Sequence, residues 1–154
     1  MTLHFAYGSN MSRALMASRC RDAEALGVAT LAGWRFVINR EGYGSIARQQ
    51  GGLAYGVLWR LSVRDLAAIN AYESVSTGFY LRRRLAVRLG ARQVTALVYI
   101  TRLGGEGRTR PGYIDLVARA ARDWDLPDSY IRSLTRWSPS GWRGVRWKDT
   151  GEVG

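Results

Sequence analysis

The sequence predicts one domain with a strand-rich core and helices packed around it. With 154 residues, of which 47% are apolar and 23% charged, the chain can build one hydrophobic core but not two comfortable ones. Strand-like and helix-like segments are mixed and do not alternate regularly. No repeat, low-complexity block or linker divides the sequence. The main domain is therefore expected over residues 1–136, followed by a basic, Trp-rich tail over residues 137–154.

The individual elements follow from hydrophobic periodicity and turn residues. Leu3, Phe5 and Tyr7 alternate with His4 and Ala6, which is the period of a strand. Further strands are predicted over residues 27–39 and 52–61, joined by a Gly-rich connection around residues 42–52, and over residues 79–89 and 93–102, which form a hairpin. Helices are predicted over residues 12–20, from residue 63, over residues 111–125, and after Leu126-Pro127-Asp128, where Asp128 serves as the cap.

The formal net charge of +11 raises the question of nucleic-acid binding. The basic residues are almost all arginine, with Lys148 as the only lysine, and they cluster only at residues 82–84 and in the tail. A solvated basic surface is therefore the preferred interpretation, and nucleic-acid binding is the alternative. Trp137, Trp142 and Trp147 alternate with arginines in the tail, which suggests packing over the domain or the pocket entrance; base stacking and a dimer contact are the alternatives.

Cys20 and His4 are the only cysteine and the only histidine of the chain. One cysteine excludes an internal disulfide, and the two residues cannot assemble the usual zinc site. A catalytic triad would need His4, which lies inside a predicted strand, so a structural role is expected for this residue. Cys20 could have a lowered pKa beside arginines, but an inert thiol is expected because no partner base is evident. No segment is long enough to span a membrane, and a cytoplasmic location is expected.

Glu73 is the carboxylate that helical periodicity places toward the core. Ser62 followed by Asp65 resembles a capping box, so a helix is expected to begin near Val63. The expected core side comprises Val63, Leu66, Ile69, Asn70 and Glu73, and the expected outer side comprises Arg64, Asp65, Ala68 and Tyr72. Burial and the helix C-terminus would both raise the pKa of the Glu73 carboxyl, which suits a general base near neutral pH.

The alternative for Glu73 is a structural ion pair with one of the arginines at residues 82–84. Buried acids are often structural partners, so the residues alone leave both interpretations open. The other glutamates lie in Gly-rich, terminal or polar connecting sequence. Glu73 is therefore the best catalytic candidate by elimination.

Gly8, Ser9 and Asn10 interrupt the chain between the first predicted strand and the first predicted helix. A turn at this place exposes backbone N–H groups at a helix N-terminus, where a carboxylate or a phosphate can bind. Gly8 would let a ligand approach the backbone, and Ser9 and Asn10 would add side-chain donors. The alternative is a plain turn in which Asn10 or Ser12 caps the helix.

The order and spacing of several motifs resemble the gamma-glutamylcyclotransferase family, including its AIG2-like members. The motifs are Tyr7-Gly8-Ser9-Asn10-Met11, Gly56-Val57-Leu58-Trp59, Glu73 with Gly78-Phe79-Tyr80, Arg110-Pro111-Gly112-Tyr113, and Leu126-Pro127-Asp128-Ser129-Tyr130. The resemblance covers residues 2–134. The chain departs from the family pattern at Asn70, where the family often has Asp, and at Ser74, Ala120 and Asp125, where it has Gly. These departures concern the identity of the substrate.

The resemblance implies a compact α+β fold, a small mixed β-barrel with flanking helices. It also implies an enzyme of gamma-glutamyl and glutathione metabolism, an acyltransferase or lyase that releases 5-oxoproline by intramolecular aminolysis without metal or cofactor. By the same resemblance, the backbone of Gly8, Ser9 and Asn10 holds the substrate α-carboxylate, and Glu73 is the general acid/base. The tyrosines that match family positions near the pocket, and that orient the substrate or line a core, are Tyr7, Tyr80, Tyr99 and Tyr113.

Other classes of function stay open beside this one. A binding protein could keep the fold and the pocket without turnover, and the basic charge keeps a nucleic-acid-associated protein as a further alternative. Within the enzyme class, the leaving group is either an amine or an amino acid. The expected partner is a small gamma-glutamyl substrate, and the chain is expected to be a monomer or a homodimer.

Overall fold

The computed structural model describes residues 1–73, 79–102 and 105–138. Its strands are β1 Thr2–Ala6, β2 Glu24–Ile38, β3 Gly44–Leu61, β4 Tyr80–Leu89 and β5 Arg92–Thr101. Its helices are α1 Arg13–Arg19, α2 Val63–Tyr72, α3 Tyr113–Asp123 and α4 Asp128–Thr135, and a 3₁₀ turn over Ser9–Met11 precedes α1. The strands close a barrel in the order β1-β3-β2-β4-β5. The predicted mixed β-barrel with flanking helices is confirmed.

Two long antiparallel hairpins supply most of the barrel, and β1 closes it. β2 pairs with β3, and β4 pairs with β5, each over nearly its whole length. β1 lies antiparallel to β3, with Phe5 opposite Leu58, and parallel to β5, with His4 opposite Leu97. Because β1 is held on both sides, the turn that follows it starts from a fixed position.

Gly56 lets β1 and β3 approach closely at this closure. A Cβ atom at Gly56 would lie 2.4 Å from the Ala6 carbonyl oxygen and 2.8 Å from Cζ of Phe5. Phe5 is fully buried, so neither group can move away without disturbing the core. The small residue is therefore a steric requirement of the barrel.

The Gly-rich connection predicted between the second and third strands is shorter than expected, because β2 ends at Ile38 and β3 already begins at Gly44. Gly44 pairs with Ile38 of β2, and Ile46 pairs with Phe36, so strand pairing begins inside the predicted connection and is interrupted between Arg48 and Leu53. Ile46 and Phe36 are both buried, and this burial overrides the low strand propensity of glycine. A register shift between Ala32 and Trp34 on β2 absorbs the irregular geometry of this region.

The start of α2 agrees with its predicted cap, whereas two of its residues, Val63 and Asp65, lie on the opposite side of the helix from the one predicted. The Ser62 side chain accepts a hydrogen bond from the Asp65 N–H at 3.1 Å. Ile69 is fully buried as expected, but Val63 is 83% exposed and Asp65 is only 2% exposed. Val63 is the first residue of the helix and extends beyond the core. Asp65 turns inward, where its Oδ1 accepts from the backbone N–H of Asp22 at 3.5 Å.

α3 and α4 pack as a pair against the barrel, with Ile114, Val117 and Leu134 fully or almost fully buried. The predicted cap of α4 is wrong, because Pro127 occupies the cap position and Asp128 is the first helical residue, without a side-chain capping bond.

No helix in the described ranges is long and apolar enough to cross a membrane. The domain boundary at residue 136 stays a prediction, and residues 139–154 of the predicted tail lie outside the described residues.

Replacing Gly56 by Ala is expected to lower the free energy of unfolding by about 1–3 kcal/mol, because the new methyl group overpacks the β1–β3 contact. Gly90→Ala is the control, since Gly90 has open space around its Cα and only a positive φ of 61°. The control should lose about 1 kcal/mol. Urea unfolding measures both changes, and an unchanged stability of the Gly56→Ala protein would contradict this packing.

Candidate active site

A cavity of about 260 Å³ lies where β1, the turn after it, β3 and the end of α2 meet. It is lined by residues 4–10, by Tyr43 and Gly44, by Tyr72 and Glu73, and by Phe79, Tyr80, Tyr99 and Tyr113. Every residue predicted for the site lies in this lining, namely Glu73, Tyr7, Gly8, Ser9, Asn10, Tyr80 and Tyr113. The structure therefore brings the two predicted halves of the site, the turn and the carboxylate, into one cavity.

The turn after β1 is held by its own backbone and by two indole rings. Met11 N–H donates to the Gly8 carbonyl and Ser12 N–H to the Ser9 carbonyl, both at 3.0 Å. The Asn10 carbonyl accepts from Nε1 of Trp59 at 3.0 Å, and the Met11 carbonyl accepts from Nε1 of Trp124 at 2.8 Å. The 3₁₀ turn is thus anchored from the barrel and from the residue that follows α3, as a binding loop requires.

The capping alternative for this turn is partly correct as well. Ser12 caps α1, because its Oγ accepts from the Leu15 N–H at 3.2 Å. Asn10 does not cap the helix. Its buried side chain accepts a hydrogen bond from Nη1 of Arg19 instead. One segment therefore starts α1 and lines the cavity.

The hydroxyl of Tyr113 lies between two glycines of the cavity wall. A Cβ atom would be 2.9 Å from this oxygen at Gly8 and 2.8 Å from it at Gly44. The Gly44 N–H donates to the Tyr113 oxygen at 3.0 Å. Since the oxygen accepts from the backbone, its own proton is left for another acceptor. Tyr113 can therefore act as a donor within the site.

Glu73 caps the C-terminal end of α2, and its N–H donates to the Ile69 carbonyl at 2.9 Å. Burial raises the pKa of the Glu73 carboxyl to about 7, and the charge of Arg19 acts in the opposite direction. Among the described residues, the ion pairs within 4.0 Å join Arg35 to Glu106 and Arg60 to Glu24. The alternative in which Glu73 pairs with an arginine of residues 82–84 is therefore wrong.

Arg19 contacts three residues of the cavity lining, and the sequence did not predict these contacts. Its guanidinium lies 3.6 Å from the centre of the Tyr72 ring and donates to the Tyr72 hydroxyl at 2.5 Å. It also donates to Oγ of Ser9 at 3.3 Å and to Oδ1 of Asn10. The oxygen atoms of Ser9 and Asn10 are thus acceptors for Arg19 in this structure, where side-chain donors had been expected.

A weak signal for Arg19 was present in the sequence. Helical side chains point toward the helix N-terminus, so a long arginine in the last turn of α1 can reach back toward the turn that precedes the helix. The pattern does not say that this arginine also contacts α2. That contact depends on the packing of the two helices.

The tyrosines around Glu73 are neutral donors with defined partners. The Tyr80 hydroxyl donates to the Gly44 carbonyl at 2.8 Å, and the Tyr99 hydroxyl donates to Oδ1 of Asn70 at 2.5 Å. The Tyr7 hydroxyl donates to the Tyr99 carbonyl. Burial raises the pKa of the phenols of Tyr7, Tyr80 and Tyr99, and the nearby charge of Glu73 raises it further. The cavity therefore presents one titratable carboxyl among neutral hydroxyl groups.

His4 and Cys20 lie close to the site without forming a triad. His4 is buried, its Nδ1 lies 3.3 Å from the Leu97 carbonyl oxygen, and burial lowers its pKa to about 4. Burial and the charge of Asp65 raise the pKa of the Cys20 thiol to about 11, opposite to the lowered value considered from the sequence. The described residues contain no cluster of three or more His, Cys, Asp or Glu side chains that could hold a metal ion.

A family profile described as the AIG2-like family matches residues 54–134, which is more than half of the chain. The chain belongs to the AIG2-like family. The gamma-glutamylcyclotransferases of Mus musculus and Homo sapiens are 24% and 23% identical to it, over 92% of this chain and 81% of their own length. The match confirms the family that the sequence motifs resemble.

Solved structures agree with this AIG2-like assignment at the level of the fold. A gamma-glutamyl cyclotransferase superposes with a TM-score of 0.83 and 21% identity, covering 99% of this chain and 96% of that protein. YkqA from Bacillus subtilis gives a TM-score of 0.75 and 24% identity, covering 88% of this chain and 53% of that protein. The barrel with four helices is therefore a gamma-glutamylcyclotransferase-like fold.

Glu73→Gln is expected to stabilise the protein above pH 7 and to leave its stability unchanged below pH 4.5. The pKa of this carboxyl is 4.5 in its ordinary state and about 7 in the fold. Between pH 4.5 and about pH 7 the carboxyl therefore binds its proton more tightly in the folded state than in the unfolded state. Raising the pH through this range lowers the free energy of unfolding. The expected gain is about 2 kcal/mol, less than the full shift implies, because the side chain keeps partial solvent contact.

Urea unfolding of the wild type and the Glu73→Gln protein at about pH 4, 6 and 8 measures this difference. Glu24→Gln is the matched control, since the Glu24 side chain is 61% exposed. A stability difference that is the same at every pH would contradict the burial of an ionisable Glu73.

Proposed function

We propose that this chain is a gamma-glutamyl cyclotransferase, which cleaves a gamma-glutamyl amide by intramolecular aminolysis and releases 5-oxoproline and a free amine or amino acid. The observation that carries the proposal is the position of Glu73, a carboxyl whose pKa is about 7, in one cavity with the turn of residues 8–10. A group that titrates near neutral pH can both accept and return a proton.

The turn is the proposed holder of the substrate α-carboxylate. Backbone N–H groups of Gly8, Ser9 and Asn10 would bind the two carboxylate oxygens, and Gly8 leaves the backbone accessible from the cavity. The indole bonds from Trp59 and Trp124 keep this turn in place. Rigid anchoring of one end of the substrate orients the reacting atoms at the other end.

Glu73 is the proposed general acid/base of both steps. Its carboxylate takes a proton from the substrate α-amine, whose nitrogen then attacks the γ-carbonyl carbon and closes a five-membered ring. The C–N bond to the leaving group breaks as the protonated Glu73 returns its proton to the departing nitrogen. The amide bond lost is replaced by the amide bond of the ring, so the reaction needs no water, metal or redox partner.

The tyrosines Tyr7, Tyr80 and Tyr113 are the proposed contacts for the rest of the glutamyl group. Their phenols are neutral, so they add no second base. The Tyr113 hydroxyl has its proton left to donate to a carbonyl oxygen, whereas the Tyr7 and Tyr80 hydroxyls already donate to backbone carbonyls and would serve as acceptors. The volume of about 260 Å³ lies just below the usual range for ligand pockets, about 300–1,000 Å³, which suits a small gamma-glutamyl compound. The proposed location is the cytoplasm, and the proposed state is a monomer or a homodimer.

The experiment measures release of 5-oxoproline from a panel of gamma-glutamyl amides and gamma-glutamyl amino acids. Glu73→Gln should lower kcat/KM by roughly 10²- to 10⁴-fold, because the proton carrier is lost while the shape of the side chain is kept. Glu24→Gln, which changes an exposed carboxylate paired with Arg60 at 3.5 Å, should leave the rate unchanged.

Each other outcome has a definite meaning. Wild-type rates in the Glu73→Gln protein would exclude Glu73 as the acid/base. Binding of gamma-glutamyl compounds by the wild type without release of 5-oxoproline would identify a non-catalytic binding protein. Strongly salt-dependent nucleic-acid binding without turnover would support the basic-protein alternative.

A further inference from the structure

Arg19, in the last turn of α1, connects the two segments that carry the proposed catalytic groups. Its Nη1 donates to Oγ of Ser9 at 3.3 Å and to Oδ1 of Asn10, both in the turn after β1. Its Nη2 donates to the Tyr72 hydroxyl at 2.5 Å, and the guanidinium carbon lies 3.6 Å from the centre of the Tyr72 ring. Tyr72 is the last residue of α2 and directly precedes Glu73. One planar guanidinium therefore joins the turn to the end of α2.

Arg19 carries a positive charge that no neighbouring carboxylate neutralises. Its hydrogen-bond acceptors are a hydroxyl, an amide oxygen and a phenol oxygen, and no carboxylate of the described residues lies within 4.0 Å of it. A guanidinium stays protonated in proteins. Its charge therefore acts on groups farther away, and it lowers the pKa of the Glu73 carboxyl against the larger, opposing effect of burial.

The other titratable groups around Glu73 supply no comparable charge. Those that line the cavity are His4, Tyr7, Tyr43, Tyr72, Tyr80, Tyr99 and Tyr113. Burial lowers the pKa of His4 to about 4 and raises the pKa of four of these phenols above its ordinary value. The groups that interact with this lining or with its neighbours from outside are Cys20, Asp65, Arg82 and Arg110. Within the described part of the chain, the charge that acts on the Glu73 pKa is that of Arg19.

We propose that Arg19 is a positioning residue, which ties the turn of residues 8–10 to the end of α2 and supplies the fixed positive charge that keeps the Glu73 carboxyl partly ionised at neutral pH. This inference rests on the proposed cyclotransferase activity, in which the turn holds the substrate and Glu73 carries the proton. It adds that a guanidinium outside the cavity lining sets the pH range of the reaction.

The position of α1 does not depend on the guanidinium. Met16 of this helix is only 1% exposed and belongs to the hydrophobic core. The Cys20 thiol donates to the Asp65 carbonyl of α2 at 3.6 Å, and Ser12 caps the start of the helix. Substitutions of Arg19 therefore remove its charge and its hydrogen bonds while these other contacts keep α1 in place.

The first measurement is a titration of the Glu73 carboxyl by ¹³C NMR, which needs no turnover. Arg19→Gln should raise the midpoint from about 7 by roughly 0.5–1 pH unit, because loss of a nearby positive charge favours the protonated carboxyl. Arg19→Lys keeps the charge and should restore the wild-type midpoint. Arg13→Gln is the matched control, since Arg13 lies on the same helix and its guanidinium lies 3.6 Å from the centre of the Trp124 ring. This control should leave the midpoint unchanged.

The second measurement is the pH profile of 5-oxoproline release. The acidic limb of kcat/KM reports the pKa of the base in the free enzyme, so Arg19→Gln should move this limb upward as far as the NMR midpoint. Arg19→Lys should leave the limb in place but lower kcat/KM severalfold at every pH, because an ammonium group lacks the planar fork that bonds the turn and Tyr72 together. A purely structural role of Arg19 would lower the rate at every pH without moving the limb.

The two measurements separate this proposal from the cyclotransferase proposal. An unmoved Glu73 midpoint in the Arg19→Gln protein would overturn the role of Arg19, and turnover by the wild type would leave the cyclotransferase proposal standing. An equal movement in the Arg13→Gln protein would also overturn it, since the effect would then follow net charge alone. A moved midpoint without wild-type release of 5-oxoproline would support the electrostatic role and overturn the catalytic proposal.

Thermal unfolding checks that each variant is folded. If Arg19→Gln does not fold, Arg19→Met replaces it in both measurements, because methionine lacks the charge but keeps an unbranched apolar side chain against the Tyr72 ring. The expected movement of the midpoint is the same, and an unmoved midpoint would again overturn the role of Arg19.

Discussion

The site depends on one electrostatic arrangement, the burial of the Glu73 carboxyl at the end of α2. Desolvation raises the pKa of this group, and the charge of Arg19 limits the rise. Arg19 is itself held by the Tyr72 ring and by the side chains of Ser9 and Asn10. The turn after β1 and the end of α2 are therefore connected through one guanidinium, so a displacement of either would alter the acidity of the carboxyl.

The barrel supplies the rigidity that this arrangement needs. β1 is paired on both edges, and Gly56 allows it to lie close to β3. The turn that follows is tied to Trp59 of the barrel and to Trp124 beyond α3. A carboxyl of suitable pKa is useful only when the reacting atoms are oriented, and here the same strand positions one wall of the cavity from His4 to Tyr7.

Local sequence rules were sufficient for the features that local chemistry decides. Alternation predicted β1, the Ser62 capping box predicted the start of α2, and helical phase placed Ile69 in the core. The raised pKa of Glu73 follows the same reasoning, because a carboxylate near the core side of a helix loses solvent. The prediction of a mixed barrel depended on the family resemblance, because the alternation within one strand does not show which other strands it pairs with.

The features that the sequence did not predict depend on contacts between distant segments. Asp65 is buried because the backbone N–H of Asp22, more than forty residues away along the chain, meets its side chain. Arg19 reaches Tyr72 over a similar separation. β3 extends back to Gly44 because Ile46 packs opposite Phe36. In each case a contact with a distant segment overrides the local preference, and the hydrophobic periodicity of the sequence does not identify the residue that makes this contact.

The most direct test of the account is a titration of the Glu73 carboxyl itself by ¹³C NMR, on protein labelled at the side-chain carboxyl carbon of glutamate. The Glu73→Gln protein assigns the resonance by its disappearance. The account predicts a midpoint at a pH of about 7 for Glu73. A midpoint close to the ordinary value of 4.5 would show that the carboxyl is solvated and would contradict its role as the proton carrier.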